Sequence, residues 1–385
     1  MCLHPTTIPN VNRGIKAKPG TLWYYRDTKN AYLQVPCGWC DECIAVKQMG
    51  YIQRIMMESI NNHLFMVTLT YRECMIPKYE VNGYKFRYAD INDFVLMAKR
   101  LKKWRAEKNK KHSYIDHSWR YWGCTELGGK KGRPHLHVFI LIPKKELPNR
   151  EDVLKEEKHL WKTILENWQR NTGTKRNPKY ENLCTYRETF HNGQWHRNYD
   201  CHWINPGATK EGIADPAWYV MKYMLKDSGK ERRRQQALKL NLPQQEYLDA
   251  WETIKTKAFY SKFFGLNTNT RNPFGDIEID KDIYNYLRKC IEYGKGKFKF
   301  PIFINPNNGQ TFPLADFYKS KEELFTLKDY ADYYPNGYEY KQTNEAYEIE
   351  QNNRHNYQRK IHKGEVIWNK QNHTILDDVT NELNN

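Results

Sequence analysis

Two strand-like segments joined by a glycine-rich turn constrain the fold of this chain more than any other feature. Residues 119–126 read WRYWGCTE, residues 127–134 read LGGKKGRP, and residues 135–142 read HLHVFILI. The flanking segments are rich in aromatic and β-branched residues, which favour strands, whereas glycine and proline favour a reversal between them. The sequence therefore predicts an antiparallel β-hairpin.

The pattern of apolar residues predicts further elements on both sides of this hairpin. Residues 64–71 (LFMVTLTY) predict a buried strand, and Asp90 can cap a helix that has one apolar and one basic face. Helical periodicity also predicts helices over residues 44–60, 151–170, 217–226 and 245–260. From residue 64 to residue 226 the order is strand, helix, strand, strand, helix, helix.

Charge and length narrow the class of protein. The chain has 385 residues, enough for two domains, and 62 Lys and Arg against 45 Asp and Glu give a net charge of +17. A large positive net charge favours a polyanionic partner, most simply nucleic acid. Ribosomal proteins and proteins that bind membrane surfaces also carry such a charge. No apolar run reaches the roughly 18 residues of a membrane helix, and the N-terminus lacks the apolar core of a signal peptide. We therefore expect a soluble intracellular protein that does not bind membranes.

His135 and His137 are the polar residues of the second hairpin strand, which is otherwise apolar. Side chains two residues apart on a strand share one face and lie about 7 Å apart, so both imidazoles could approach one ion. The hairpin would bring Glu126 beside them, and this donor set suits Mg²⁺ or Mn²⁺. The sequence does not show on which face of its strand Glu126 lies. An isolated histidine pair can also pack at the rim of the sheet without binding a metal ion.

A helix predicted after Asp215 and Pro216 carries two phenols. Tyr219, Tyr223 and Lys226 have the spacing i, i+4 and i+7, which places them on one helix face. A phenol with a pKa of about 10 attacks a phosphodiester only with help from a nearby cation and a metal ion. The alternative to a catalytic role is that the two tyrosines only line the boundary of the apolar core.

Three cysteines are spaced for metal binding near the N-terminus. Cys37, Cys40 and Cys43 form C-x-x-C-x-x-C, and Cys2, or His4 in its place, could complete a tetrahedral structural Zn²⁺ site. The other interpretation is that the cysteines are buried thiols at helical spacing. With nine cysteines and no export signal, disulfides are not expected.

Together these motifs resemble a known family. The segment LFMVTLTY, the GRPHLH at 132–137 with its upstream Glu126, and the Y-x-x-x-Y-x-x-K resemble the three motifs of two-tyrosine HUH endonucleases. The C-x-H-P at 2–5, the PCGWCDEC at 36–43 and the motif order are similar to replication initiator proteins of gokushovirus-type microviruses. The similarity extends from residue 1 to about residue 265.

This resemblance implies an α+β fold, a central antiparallel β-sheet covered by helices, and a rolling-circle mechanism. His135, His137 and Glu126 would hold the divalent ion, and Tyr219 or Tyr223 would nick single-stranded viral origin DNA to leave a 5′-phosphotyrosine. Lys226, and also Lys222, would neutralise developing charge. The other tyrosine would act when the strand is closed into a circle.

The resemblance also implies a domain order and partners. We expect a Cys-rich module at 1–60, an endonuclease core at 61–230, an accessory region at 231–340 and a polar tail at 341–385. The sequence contains no P-loop motif, so a host helicase would unwind the DNA. A host replicative polymerase would carry out synthesis, and both would act in the bacterial cytoplasm. The alternatives are a non-catalytic, zinc-anchored nucleic-acid-binding protein, or a plasmid initiator, transposase or relaxase built on the same core.

Overall fold

The computed structural model describes most of the chain up to residue 333. The described residues are 5–16, 28–38, 40–81, 83–112, 120–127, 133–184, 188–191, 194–197, 200–204, 255–268, 278–298 and 301–333. The chain divides into two compact units, a larger one of residues 2–7 and 34–326 and a smaller one of residues 1, 8–33 and 327–385.

Helices and strands are mixed along the described chain. The strands are β1 Thr6–Pro9, β2 Tyr32–Val35, β3 Asn62–Thr70, β4 Lys78–Val81, β5 Tyr84–Arg87, β6 Arg120–Leu127, β7 Pro134–Pro143, β8 Gln169–Asn171, β9 Tyr180–Asn182, β10 Glu188–His191, β11 Gln194–Arg197, β12 Asp200–Ile204, β13 Ala258–Tyr260, β14 Ile302–Ile304 and β15 Thr311–Pro313. The helices are α1 Asp41–Asn61, α2 Ile91–His112, α3 Arg150–Asn167, α4 Lys281–Lys297, α5 Asp316–Lys319 and α6 Leu327–Tyr333.

A five-stranded sheet forms the centre of the larger unit. Its strand order is β12, β3, β7, β6, β13, and every neighbouring pair is antiparallel. The predicted hairpin is β6 and β7, in which Glu126 lies opposite His135. The predicted α+β class, with a central antiparallel sheet and helices, is therefore confirmed.

One face of this sheet is the main apolar core. Alternate β7 residues from Leu136 to Ile142 pack there with Val67 and Leu69 of β3, against α2 and α3. These side chains are almost fully buried. The strand alternation predicted this face correctly, because residues two apart on a strand point to the same side.

Helix α1 lies on the opposite face of the sheet. Its Glu58 pairs with Arg120 at the start of β6, and Tyr51, two turns earlier, contacts Trp122 with 5.6 Å between ring centroids. The 21 residues of α1 span about 31 Å, close to the roughly 30 Å of the nine-residue β3 that follows. From Glu58 back to Tyr51 the contacts of α1 advance along β6 from Arg120 to Trp122, so α1 runs antiparallel to β6 and to β3.

A turn at 261–268 is fixed to this helix by a buried ion pair. The Glu58 carboxylate accepts hydrogen bonds from the backbone N–H groups of Gly265 (2.6 Å) and Asn267 (3.1 Å) as well as from Arg120. Gly265 has a φ of 96°, and the Arg54 side chain fills the place where a Cβ would lie. A glycine is therefore required there for both backbone conformation and space.

The C-terminal part of the larger unit packs on α1. Gln53 donates to the Pro313 carbonyl at 2.7 Å and accepts from the Ala315 N–H at 2.8 Å. Strands β14 and β15 pair as a hairpin. In the smaller unit, Asn10 N donates to the carbonyl of Ala31, and α6 belongs to that unit.

The prediction of a helix over residues 245–260 is wrong at its C-terminal end. Residues 258–260 form β13, which pairs with β6 through Ala258 opposite Cys124 and Tyr260 opposite Trp122. A three-residue edge strand has little sequence signature, because its stability comes from a distant partner strand.

The predicted helix at 217–226 lies outside the described residues. Among the described helices, none combines the length and apolar character needed to cross a bilayer.

Candidate functional site

The candidate site lies where β7 begins, on the α1 side of the sheet. The rings of His135 and His137 are nearly parallel, with 6.3 Å between their centroids. Glu126 lies opposite His135, while Thr68 and Cys124 lie opposite His137 on the two flanking strands. Cross-strand partners share a face, so these polar side chains form one cluster at the end of three strands.

Glu126 and Thr68 hold the His137 ring from both sides. The Nε2 atom of His137 lies 2.7 Å from Glu126 Oε2, and its Nδ1 atom lies 3.2 Å from Thr68 Oγ1. His137 and Glu126 are both buried, with exposed fractions of 6% and 8%. Thr68 therefore orients the ring from its Nδ1 side, as outer-shell partners of metal-binding histidines do, and the Nε2 atom faces Glu126. The face taken by Glu126, which the sequence left open, is thus the face of the histidine pair.

His135 has the properties of an unprotonated ligand. Its Nδ1 atom is buried and has no hydrogen-bond partner among the described residues. Burial, and next the neighbouring His137, lower the pKa of His135 below its ordinary value. A neutral imidazole has one ring nitrogen with a free lone pair, so His135 can act as a ligand of an ion.

The donor set fits a divalent ion that prefers oxygen and imidazole ligands. Around an octahedral ion with bonds of about 2.1 Å, neighbouring ligand atoms are about 3.0 Å apart, and the His137 and Glu126 atoms are separated by 2.7 Å. His137 and Glu126 would therefore need little movement to share an ion, whereas His135 would have to move closer, because the three residues do not meet the 4.8 Å spacing found in the cysteine cluster. Two imidazoles and one carboxylate also leave coordination positions open for phosphate oxygens.

The predicted nucleophiles are not among the described residues. Tyr219, Tyr223, Lys222 and Lys226 all lie in the range 205–254, which is outside the described residues. Their placement beside His135 and His137 stays a prediction. Cys2 and His4, the predicted fourth ligands of the cysteine cluster, lie outside the described residues as well.

The three cysteines predicted as a metal site do cluster. The Sγ atoms of Cys37, Cys40 and Cys43 lie within 4.8 Å of one another, the one such group of three ligand residues among the described residues. Tetrahedral Zn–S bonds of about 2.3 Å place thiolates about 3.8 Å apart, and Cys37 Sγ lies 3.9 Å from Cys43 Sγ. Cys40 immediately precedes α1, where the helix dipole favours thiolate. The cluster could hold a metal ion such as zinc.

Replacing Cys37 with serine is expected to abolish zinc binding by this cluster. Removal of one of three thiolates weakens the site because thiolate ligands supply most of the binding free energy, which is about 10–16 kcal/mol in structural zinc sites. Metal analysis of protein purified under reducing conditions should find zinc in the wild type and almost none in Cys37→Ser. Cys74→Ser, which changes an exposed cysteine outside the cluster, should retain zinc. A wild type that takes up no zinc would contradict the assignment.

Two residues of the site were missed by sequence reasoning. Thr68 contacts His137, and Arg133 donates to the Tyr71 carbonyl through Nε (3.1 Å) and Nη2 (2.6 Å), which fixes the start of β7 to the end of β3. The alternation of LFMVTLTY puts Thr68 and Thr70 on one face. That signal identifies the side of the sheet, but only strand pairing shows that the face is shared with the histidines.

Comparison with protein families identifies the central part of the chain. Residues 64–228 match the family model of the ORF2-type replication-associated proteins. The match covers 165 of the 385 residues. No curated protein and no solved structure gave a match. The family resemblance predicted from the three motifs is confirmed, and the matched segment contains Glu126, both histidines and both tyrosines.

Proposed function

We propose that this replication-associated protein initiates rolling-circle replication of a single-stranded DNA phage by nicking and rejoining viral origin DNA. The observation that carries the proposal is the cluster of Glu126, His135 and His137 on one sheet face, inside the segment that matches the replication-associated family. The net charge of +17 suits a DNA substrate.

The proposed chemical step is a transesterification. The phenol oxygen of Tyr219 or Tyr223 attacks the scissile phosphorus, a new P–O bond forms, and the bond from phosphorus to the 3′ oxygen breaks. The proton lost by the phenol balances the proton that the leaving 3′ oxygen gains. The products are a 5′-phosphotyrosine and a free 3′-hydroxyl that primes synthesis.

The chain's own residues position the reacting groups in this proposal. Glu126 and Thr68 fix the His137 ring, and the buried nitrogen of His135 offers a second ligand atom. Mg²⁺ or Mn²⁺ bound there would supply Lewis-acid polarisation of the phosphate. Lys226 and Lys222 would offset negative charge that develops during attack.

The two tyrosines suit a cycle of cleavage and closure. After one tyrosine has cleaved the origin, the other would cleave the regenerated origin, and the free 3′-hydroxyl would attack the first phosphotyrosine to close the circle. Unwinding and synthesis would then belong to a host helicase and replicative polymerase in the bacterial cytoplasm. Cys2 would complete the zinc site of Cys37, Cys40 and Cys43.

A covalent adduct tests the proposal. Wild-type protein incubated with single-stranded origin DNA and Mn²⁺ is expected to give a denaturant-resistant protein–DNA product, because transesterification leaves the DNA on a tyrosine. Nuclease digestion followed by peptide mass spectrometry should then locate the nucleotide on Tyr219 or Tyr223. Origin fragments can be supplied as an overlapping library of viral single strands.

The double variant Tyr219→Phe/Tyr223→Phe is the control, since it removes both phenol oxygens and little else. It is expected to bind DNA and to form no adduct. A wild type that binds the library but gives no adduct would support the non-catalytic binding protein instead. An adduct on a different residue would refute the assignment of the tyrosines.

A further inference from the structure

The β8–β9 hairpin is an ordered, exposed arm in a region whose sequence is polar and has no clear periodicity. Its strands pair through Gln169 opposite Asn182 and Asn171 opposite Tyr180. In the tip, Asn171 Oδ1 accepts hydrogen bonds from the N–H groups of Gly173 (3.0 Å) and Lys179 (2.9 Å). A Cβ at Gly173 would collide with the Asn177 carbonyl, so the tip needs glycine at this position.

Two arginines fasten the base of this arm to α2. Arg170 forms a two-pronged ion pair with Asp93 near the start of α2, at 2.9 and 2.5 Å. Arg100 donates to the carbonyls of Asn167 (2.7 Å) and Gln169 (2.8 Å). Because the base is held on a helix that packs against the sheet, the arm has a defined direction.

The base of the arm lies at the histidine end of the sheet. Trp168, directly before β8, donates its indole N–H to the carbonyl of Thr70 at 2.8 Å, and Thr70 is the strand partner of His135. Directly after β9, the Leu183 carbonyl accepts from Arg72 N. Both ends of the hairpin are therefore attached to the end of β3 and the residues that follow it, at the same end of the sheet as the candidate metal site.

The tip carries positive charge and an aromatic ring. Residues 171–180 are all exposed, and they include Lys175, Arg176 and Lys179. Among the described residues no carboxylate pairs with Lys175 or Arg176, whereas Lys179 lies 3.2 Å from Glu181. Tyr180 is 51% exposed. Cations that can follow a phosphate backbone, next to a ring on which a base can stack, are the features of single-stranded nucleic-acid surfaces.

We propose that the β8–β9 hairpin binds the single-stranded DNA that flanks the scissile phosphate, with Lys175, Arg176 and Lys179 on the backbone and Tyr180 against a base. This inference rests on the proposed function, because it takes the DNA strand at His135 and His137 as given. The arm extends the binding surface beyond the pocket and holds the strand while the phosphodiester is open.

The test compares two triple variants with equal loss of charge. Lys175→Gln/Arg176→Gln/Lys179→Gln removes the cations of the arm. Lys145→Gln/Arg150→Gln/Lys158→Gln removes two lysines and one arginine that are exposed and lie between the far end of β7 and the middle of α3. Both are made in the Tyr219→Phe/Tyr223→Phe background, so that binding is measured without cleavage.

Fluorescence anisotropy with a labelled thymidine oligonucleotide, over a range of salt concentrations, gives the affinity. The arm variant is expected to bind on the order of tenfold more weakly in 0.1 M salt, and the slope of log K against log salt should become shallower by about 2, since each phosphate contact contributes about 0.7. The control variant should retain most of the wild-type affinity and slope.

Equal losses in the two variants, or no loss in the arm variant, would overturn the inference. A loss confined to duplex DNA would overturn it too. The outcome is separate from that of the proposed function, because the binding assay requires no nicking. An arm effect without any adduct in wild type would contradict only the nuclease, and an adduct without an arm effect would contradict only the arm.

Discussion

Replacing both His135 and His137 with alanine is expected to slow covalent adduct formation about 1,000-fold, which corresponds to a loss of about 4 kcal/mol of transition-state stabilisation. The variant loses both imidazole ligands, and with them the ion that would polarise the phosphate. The apolar face of β7 is untouched by these substitutions, since Leu136 and Val138 point to the other side of the sheet. The rate is measured in single turnovers with saturating DNA.

Two further variants separate metal binding from folding. Glu126→Gln keeps the size of the side chain and should lower Mn²⁺ affinity on the order of 10- to 100-fold, because a neutral amide replaces an anionic oxygen ligand. His63→Ala changes a half-buried histidine of β3 whose ring contacts the Leu147 carbonyl instead, and it should leave the adduct rate near that of wild type. Manganese binding is followed by electron paramagnetic resonance. Full activity of the double histidine variant would exclude His135 and His137 as ligands.

Replacing Glu58 with alanine is expected to lower the free energy of unfolding by about 3–5 kcal/mol, because the substitution leaves a buried guanidinium without its counter-charge. The Arg120 and Glu58 side chains have exposed fractions of only 5% and 0%. The same change removes the acceptor for the N–H groups of Gly265 and Asn267. Loss of this contact would weaken the attachment of the turn at 261–268 to α1, where Arg54 also donates to the Phe264 carbonyl at 2.8 Å.

Urea denaturation measures this effect, and an exposed ion pair provides the matched control. Glu151 contacts Lys155 on the surface of α3, where both side chains are more than two-thirds exposed, and Glu151→Ala should change the free energy of unfolding by about 1 kcal/mol or less. Glu58→Gln, which can still accept hydrogen bonds, should fall between the two. A Glu58→Ala protein as stable as the Glu151→Ala protein would show that the turn is held by other contacts.

Local patterns were sufficient for the framework of the core. The alternation in β7 predicted which side of the strand is apolar, and helical periodicity predicted α1 and α3 within a few residues of their bounds and α2 at its start. Such patterns work because burial on one face is a requirement that each segment meets by itself. The cysteine cluster was predicted for a similar reason, since its three ligands come from seven consecutive residues.

Long-range pairing decided the features that the sequence left open or misread. Residues 258–260 read as the end of a helix and form the edge strand β13, since their partner β6 lies more than a hundred residues away. The polar stretch after α3 gave no sign of an ordered arm, because its order comes from Arg170, Arg100 and Trp168 binding residues of α2 and β3.

The sequence by itself determined the alternating strand with its two histidines, the neighbouring helices, the cysteine spacing and the match of residues 64–228 to a replication-associated family. Only the tertiary structure decided that Glu126 and Thr68 share the face of His137, that Glu58 neutralises Arg120 in the interior, and that a basic arm starts at the histidine end of the sheet. The physical reason is that periodicity within a segment fixes which side is buried, whereas the partner across a strand or helix interface depends on how distant segments pack.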